Sequence, residues 1–260
     1  MRITHQTLHI IKAVNTFILI LALCGCSLSN TVSDSIQLLQ GTEYASQTET
    51  SDTSENVYET IGQEEAQPEL DVIFSSEPIP YDVRDRMWNV TISERSRLNF
   101  DDLSYLTLTY MGYDDCQHIG HLVVDKNLSD EVIGIFRELY EIGFPIEKMN
   151  LPCDYGGVDE LSMEDNNTSA FNDRPIEGSG ALSYHQLGRA IDINPLINPY
   201  IKASSQTVLP VTAEAYLDRT LDEKGMITED SECVRIFKKY GWSWGGDWHS
   251  LKDYQHFEKE

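Results

Sequence analysis

From Ser27 to Val83 the chain carries no lysine or arginine, while acidic residues recur from Asp34 to Asp71 among serine, threonine and glutamine. A stretch of this composition has too little apolar surface to offset its ordering entropy. It predicts a disordered, self-repelling tether over residues 27–76 and confines the folded part to residues 77–260. A domain of that length buries a substantial core. The formal net charge of −24 speaks against nucleic acid as a partner, because phosphate binding needs a basic footprint.

What precedes the tether explains it. Arg2 and Lys12 stand before an apolar run from Ala13 to Gly25, broken only by Asn15 and Thr16. The run is too short to span a bilayer, which takes ~20 residues, and it matches the apolar core of a secretory signal. It ends in Leu23-Cys24-Gly25-Cys26, which resembles the lipobox of bacterial lipoproteins, with Cys24 an unusual occupant. The resemblance implies a signal over residues 1–26, lipidation at Cys26, and display at the outer face of the cytoplasmic membrane; the alternative is an ordinary secretory signal and a secreted protein. Two or more acyl chains anchor a protein stably, and a flexible tether of ~50 residues spans roughly 40 Å. Cys116, Cys153 and Cys233 remain, enough for at most one disulfide with one thiol left over.

Within the folded part, Leu103 to Tyr110 alternates and reads as a strand, as does Gly120 to Asp125. Ser129 is placed as the N-cap of a helix whose face is Val132, Ile135, Phe136, Leu139 and Tyr140, ended by Gly143. Cys153 to Gly180 has no period and predicts a long loop of the kind that carries function. Ala190 to Asn194 alternates like a strand, and Ser231 to Tyr240 predicts a second helix stopped at Gly241. Few helices, short strands and no βαβ rhythm predict an α+β domain, with flanking helices on a small, mostly antiparallel sheet.

The chemistry-bearing residues lie near the C-terminus. His185 and Asp192 are separated by a glycine, Gly188, at which the chain can turn to bring both inward. On an alternating strand Ile191 and Ile193 face the core while Asp192 and Asn194 share the other face. Asp253 and His256 are three apart, so one helical turn or a tight bend points them the same way. A catalytic zinc takes three His, Asp or Glu ligands and leaves a position open. His185, Asp192 and His256 are candidates for that set, with Asp253 beside them as base and then acid. Spacing alone does not decide between this and ordinary hydrogen-bonded histidines. No spacing supports ligation by His249; His118 and His121, three apart near a strand start, could bind metal, but strand-edge histidines usually do not; Trp242, Trp244 and Trp248 suit either core packing or a cleft wall. The pair Gly245-Gly246 lacks the lysine of a phosphate loop, and no Ser-His-Asp or Cys-His triad is legible.

Ser183, His185, Gly188, Ala190 and Asp192 in the order S-x-H-x-x-G-x-A-x-D, then Gly241-Trp-Ser-Trp-Gly-Gly-Asp-Trp248, then Asp253-x-x-His256-Phe-Glu258, resemble the D-alanyl-D-alanine carboxypeptidase family of zinc peptidases. That family includes VanY-type carboxypeptidases and L-alanyl-D-glutamate endopeptidases, and shares its fold with the Hedgehog signalling domain. The resemblance extends from about Leu106 to Glu260. It implies zinc held by His185, Asp192 and His256, Asp253 as general base and acid, Arg174 on the polarised carbonyl oxygen or the substrate carboxylate, and Ser183 in contact with substrate. The chain departs from many relatives at Asp173, where they carry cysteine; a carboxylate there competes for Arg174.

The expectation is therefore a zinc metallopeptidase that cleaves peptidoglycan stem peptides, first as a D-Ala-D-Ala carboxypeptidase. The alternatives are an L-Ala-D-Glu endopeptidase, which shares the motifs, and a non-catalytic, zinc-containing wall-binding lipoprotein, for which a base at Asp253 has no use.

Overall fold

The computed structural model describes residues 71–173 and 182–260. Cys26, the apolar N-terminal run, most of the predicted tether and Arg174 lie outside the described residues. Strands β1 (Phe74–Glu77), β2 (Leu103–Met111) and β3 (Gln117–Asp125) form an antiparallel sheet in the order β1-β2-β3. Leu103 faces Asp125 and Met111 faces Gln117 along its central ladder. Strand β1 starts before the boundary expected at Glu77. Backbone pairing needs no apolar pattern, so composition concealed it; Ile73 N donates to Thr109 Oγ1 at 2.7 Å and Phe74 packs edge-on against Tyr140.

This sheet is covered on both faces, which is why β2 and β3 do not alternate cleanly between apolar and polar. One face carries Leu103, Tyr105 and Val123, packed under Val83 and Met87 of helix α1 (Tyr81–Met87) together with Leu151 and Phe171. The other carries Leu106, Leu108, Leu122 and Val124. Against it lies helix α2 (Ser129–Glu141), through Val132, Ile135, Phe136 and Leu139. Ser129 is the first residue of α2 rather than its cap: its hydroxyl donates to Lys126 O, and Leu128 takes the cap position with no side-chain bond. The segment read as a loop holds a short helix, α3 (Asp159–Glu164), too brief to show a helical period. The second expected helix is α4 (Glu232–Lys239), capped by the Ser231 hydroxyl and followed by Gly241 at φ +78°.

Two further antiparallel sheets complete the α+β fold, so the single sheet expected is in fact three small ones. The first runs β4 (Ala190–Asp192), β9 (His256–Glu258), β7 (Ser243–Trp244); the second runs β6 (Thr207–Leu209), β5 (Tyr200–Lys202), β8 (Lys252–Asp253). The β4-β9-β7 sheet is pinned to the core by Ile191 and Phe257, both fully buried, with Phe257 stacked on Phe237 of α4 at 3.9 Å between ring centroids. Each such side chain contributes ~1.5–3 kcal/mol when fully buried. All three described cysteines are free thiols. Among the described residues no helix is long and apolar enough to cross a membrane.

Candidate metal centre

Side chains alternate across a strand, so burying Ile191 and Phe257 turns their neighbours outward from the core. Asp192 and His256 are direct cross-strand partners in β4 and β9 and therefore project together. His185 reaches them from a 3-10 helix, Tyr184–Leu187. The Ser183 hydroxyl starts that helix by accepting from His185 N at 3.2 Å, and Gln186 completes a capping box by accepting from Ser183 N. Gly188 ends it in the left-handed region, at φ +63°, where a Cβ would lie 2.5 Å from Asp125 N. Asn194, expected to share the face of Asp192, instead takes a positive φ of 45° and is buried, donating to Pro145 O. Its bend ends β4.

The donor atoms converge. His185 Nε2 lies 3.1 Å from Asp192 Oδ2 and 3.3 Å from His256 Nδ1, and His256 Nδ1 lies 2.9 Å from Asp192 Oδ1. A tetrahedral ion ~2.0–2.1 Å from each donor sets such donors ~3.3 Å apart, so the spacing and the donor chemistry fit a zinc-type cation. Among the described residues this is the group of His, Cys, Asp and Glu that could hold a metal. Both histidines and Asp192 are nearly buried. The backbone of residues 169–172 braces the group: Ser169 bridges Asp192, and His185 Nδ1 donates to Ala170 O at 2.6 Å. His185 and Asp192 open onto a small cleft walled by Asp159 and Ser162 of α3, Ala170 and Asn172.

The electrostatics divide the carboxylates. Burial opposes the charge on Asp192, but His185 and His256 outweigh it and hold the carboxyl well below the usual range. Burial pushes the Asp253 carboxyl up to about 7, with Asp192 adding to burial and His256 opposing it. Asp253 Oδ1 is buried and has no hydrogen-bond partner. Of the helical turn or tight bend expected between Asp253 and His256, the structure has the bend: Asp253 ends β8 and His256 begins β9. Residues 177–259 match the family model described as D-alanyl-D-alanine carboxypeptidase. This segment, about a third of the chain, is similar to that family.

D-alanyl-D-alanine carboxypeptidases of this family are zinc-dependent peptidases, and the His-Asp-His group of this chain could hold such a metal. The match begins well after the start of the resemblance read from the motifs, at Leu106. No curated protein and no solved structure matches the chain, so its likeness to the Hedgehog fold rests on the motifs. The other described histidines stand apart: His118 pairs with Asp114, His121 stacks on Tyr105, and His249 is exposed. Trp242 and Trp244 are core residues, whereas Trp248 is half-exposed with its ring 5.5 Å from that of His256. Asp173 is engaged by Gln186 Nε2 at 2.7 Å. Sequence reasoning missed Gly245, where a Cβ would lie 2.8 Å from Asp253 Cβ. It also assigned nothing to Glu258, whose Oε2 lies 3.1 Å from His256 Nε2.

Proposed function

We propose that the chain is an exported zinc carboxypeptidase that removes the terminal D-alanine from D-Ala-D-Ala stem peptides of peptidoglycan, held to the outer face of the cytoplasmic membrane by lipid on Cys26. The observation that carries the catalytic reading is Asp253: a half-buried carboxyl with one buried, unpartnered oxygen and a pKa of about 7, beside a three-donor group. A structural carboxylate at such depth is ordinarily paired; a general base is poised near the working pH. His185, Asp192 and His256 would hold the zinc, which when bound supplies Lewis acidity to a peptide carbonyl and to water. Asp253 takes the proton from the attacking water and returns it to the leaving amine. The cleft beside α3 receives the stem peptide, and Trp248 flanks the centre with its ring 5.5 Å from that of His256. Ser183 keeps its own O–H proton free while accepting from His185 N, so it can donate to substrate. Arg174 carries the charge that meets the carbonyl oxygen or the terminal carboxylate.

The test is incubation of the purified, zinc-loaded protein with defined muropeptides, with products weighed by mass spectrometry. Release of free D-alanine supports the reading. A cut between L-alanine and D-glutamate replaces it with the endopeptidase alternative, and no cut at either bond leaves the wall-binding alternative. Incorporation of labelled palmitate into the wild type, lost in Cys26→Ala, tests the anchor.

A further inference from the structure

The two histidines of the metal centre face it with different ring nitrogens. His185 donates Nδ1–H to Ala170 O, a carbonyl that can only accept, so its Nε2 is left for the cluster. His256 is turned the other way: Nδ1 faces Asp192 and His185, and Nε2 faces Glu258. We propose that Glu258 is a positioning residue, which holds the His256 ring in the one orientation and tautomer that offers Nδ1 to a divalent cation.

The strand geometry leaves Glu258 little else to do. It is two residues from His256 on β9 and so on the same face, while Phe257 between them is locked into the core against Phe237. Its cross-strand neighbours are Ala190 on β4 and Ser243 on β7, both small, and they leave space for the carboxylate to swing onto the imidazole. Among the described residues no lysine or arginine pairs with Glu258; the adjacent Lys259 is taken by Glu131 at 2.8 Å. Trp248, whose ring lies 5.5 Å from that of His256, has an indole N–H that only donates and cannot receive the Nε2 proton. A ligand histidine needs such an acceptor on its far nitrogen, and a carboxylate there also raises the basicity of the ligating nitrogen. The pattern H-x-E is thus read as ligand plus orienter, an inference that rests on the metal-centre reading above.

The experiment measures zinc itself. Purified wild type, Glu258→Gln and Glu258→Ala compete for zinc against a chromophoric chelator at neutral pH, and 15N-imidazole NMR reads the His256 tautomer in the zinc-loaded forms. Glu258→Ala is expected to weaken zinc binding about 10–100-fold and to replace the single Nε2-protonated signal with an exchanging mixture. Glu258→Gln keeps an acceptor oxygen without the charge and falls between; it carries the test if the alanine variant fails to fold. Zinc affinity within about twofold of wild type, with a lowered melting temperature in the metal-free variants, makes Glu258 a fold contact only and overturns the proposal. A wild type that binds no zinc sinks the metal-centre reading as well, whereas a tight wild type with equally tight variants sinks this inference alone.

Discussion

Gly245→Ala separates the base from the metal ligands. The new methyl would lie 2.6 Å from Asp253 O and 2.8 Å from Asp253 Cβ, where ordinary contact begins at 3.4 Å. Asp253 must therefore retreat by about 0.6–0.8 Å. It cannot do so freely, because β8 pairs it with Tyr200 and Trp244 Nε1 holds Tyr254 O at 3.0 Å, so the strain passes to the carboxylate. A misplacement of ~1 Å costs as much as 10²-fold in rate, or about 2.7 kcal/mol of transition-state stabilisation. A loss of roughly 10–100-fold in kcat is expected, with zinc still bound at about one ion per chain. Steady-state cleavage of a defined muropeptide, whichever bond is cut, gives kcat, and elemental analysis gives the zinc. A kcat within about twofold of wild type refutes the reasoning, and so does a parallel loss of zinc, which would place the disturbance at His256.

Asp253→Asn is expected to abolish turnover while leaving zinc content unchanged; full activity in this isosteric variant would remove Asp253 from the chemistry. Burial pulls the His256 pKa down, but the hydrogen bonds that His256 donates to Asp192 and Glu258 overcome it and lift it to about 10. In the metal-free protein this raised group contributes stability that is fully present below its unfolded pKa of ~6.5 and lost as pH rises towards 10. Melts in chelator from pH 6 to pH 10 should decline, and a rising midpoint contradicts the pairing. Zinc must displace that proton, so its affinity should climb about tenfold per pH unit in the same range, as chelator competition can measure. Phe237→Ala removes a fully buried ring stacked on Phe257 and set edge-on to Trp242. The cost is ~3–5 kcal/mol in urea unfolding, and a value under ~1 kcal/mol would mean that the core around β9 is not packed as described.

Local periodicity carried much of the frame. The apolar faces of α2 and α4 are legible because helical spacing repeats over enough residues, and β2 and β3 because their runs of Leu, Val, Thr and Tyr favour strands. Shorter elements left no such trace: β1 is held by backbone bonds, α3 by fewer than two turns, and β7 and β8 by two residues each. The turn at Gly188 was readable because only glycine suits a positive φ with another backbone at 2.5 Å.

The sequence by itself determined which chemical groups are available: two imidazoles, a set of carboxylates, and a glycine that lets His185 and Asp192 face one way. It also carries motifs that resemble a peptidase family. Only the tertiary structure decided that Asp192 pairs across a ladder with His256, that His256 turns Nδ1 rather than Nε2 to the centre, and that one oxygen of Asp253 is buried and unpartnered. The physical reason is the same for each. Register, ring orientation and burial arise where segments distant in the chain meet, and no repeat within one segment encodes the partner it will find.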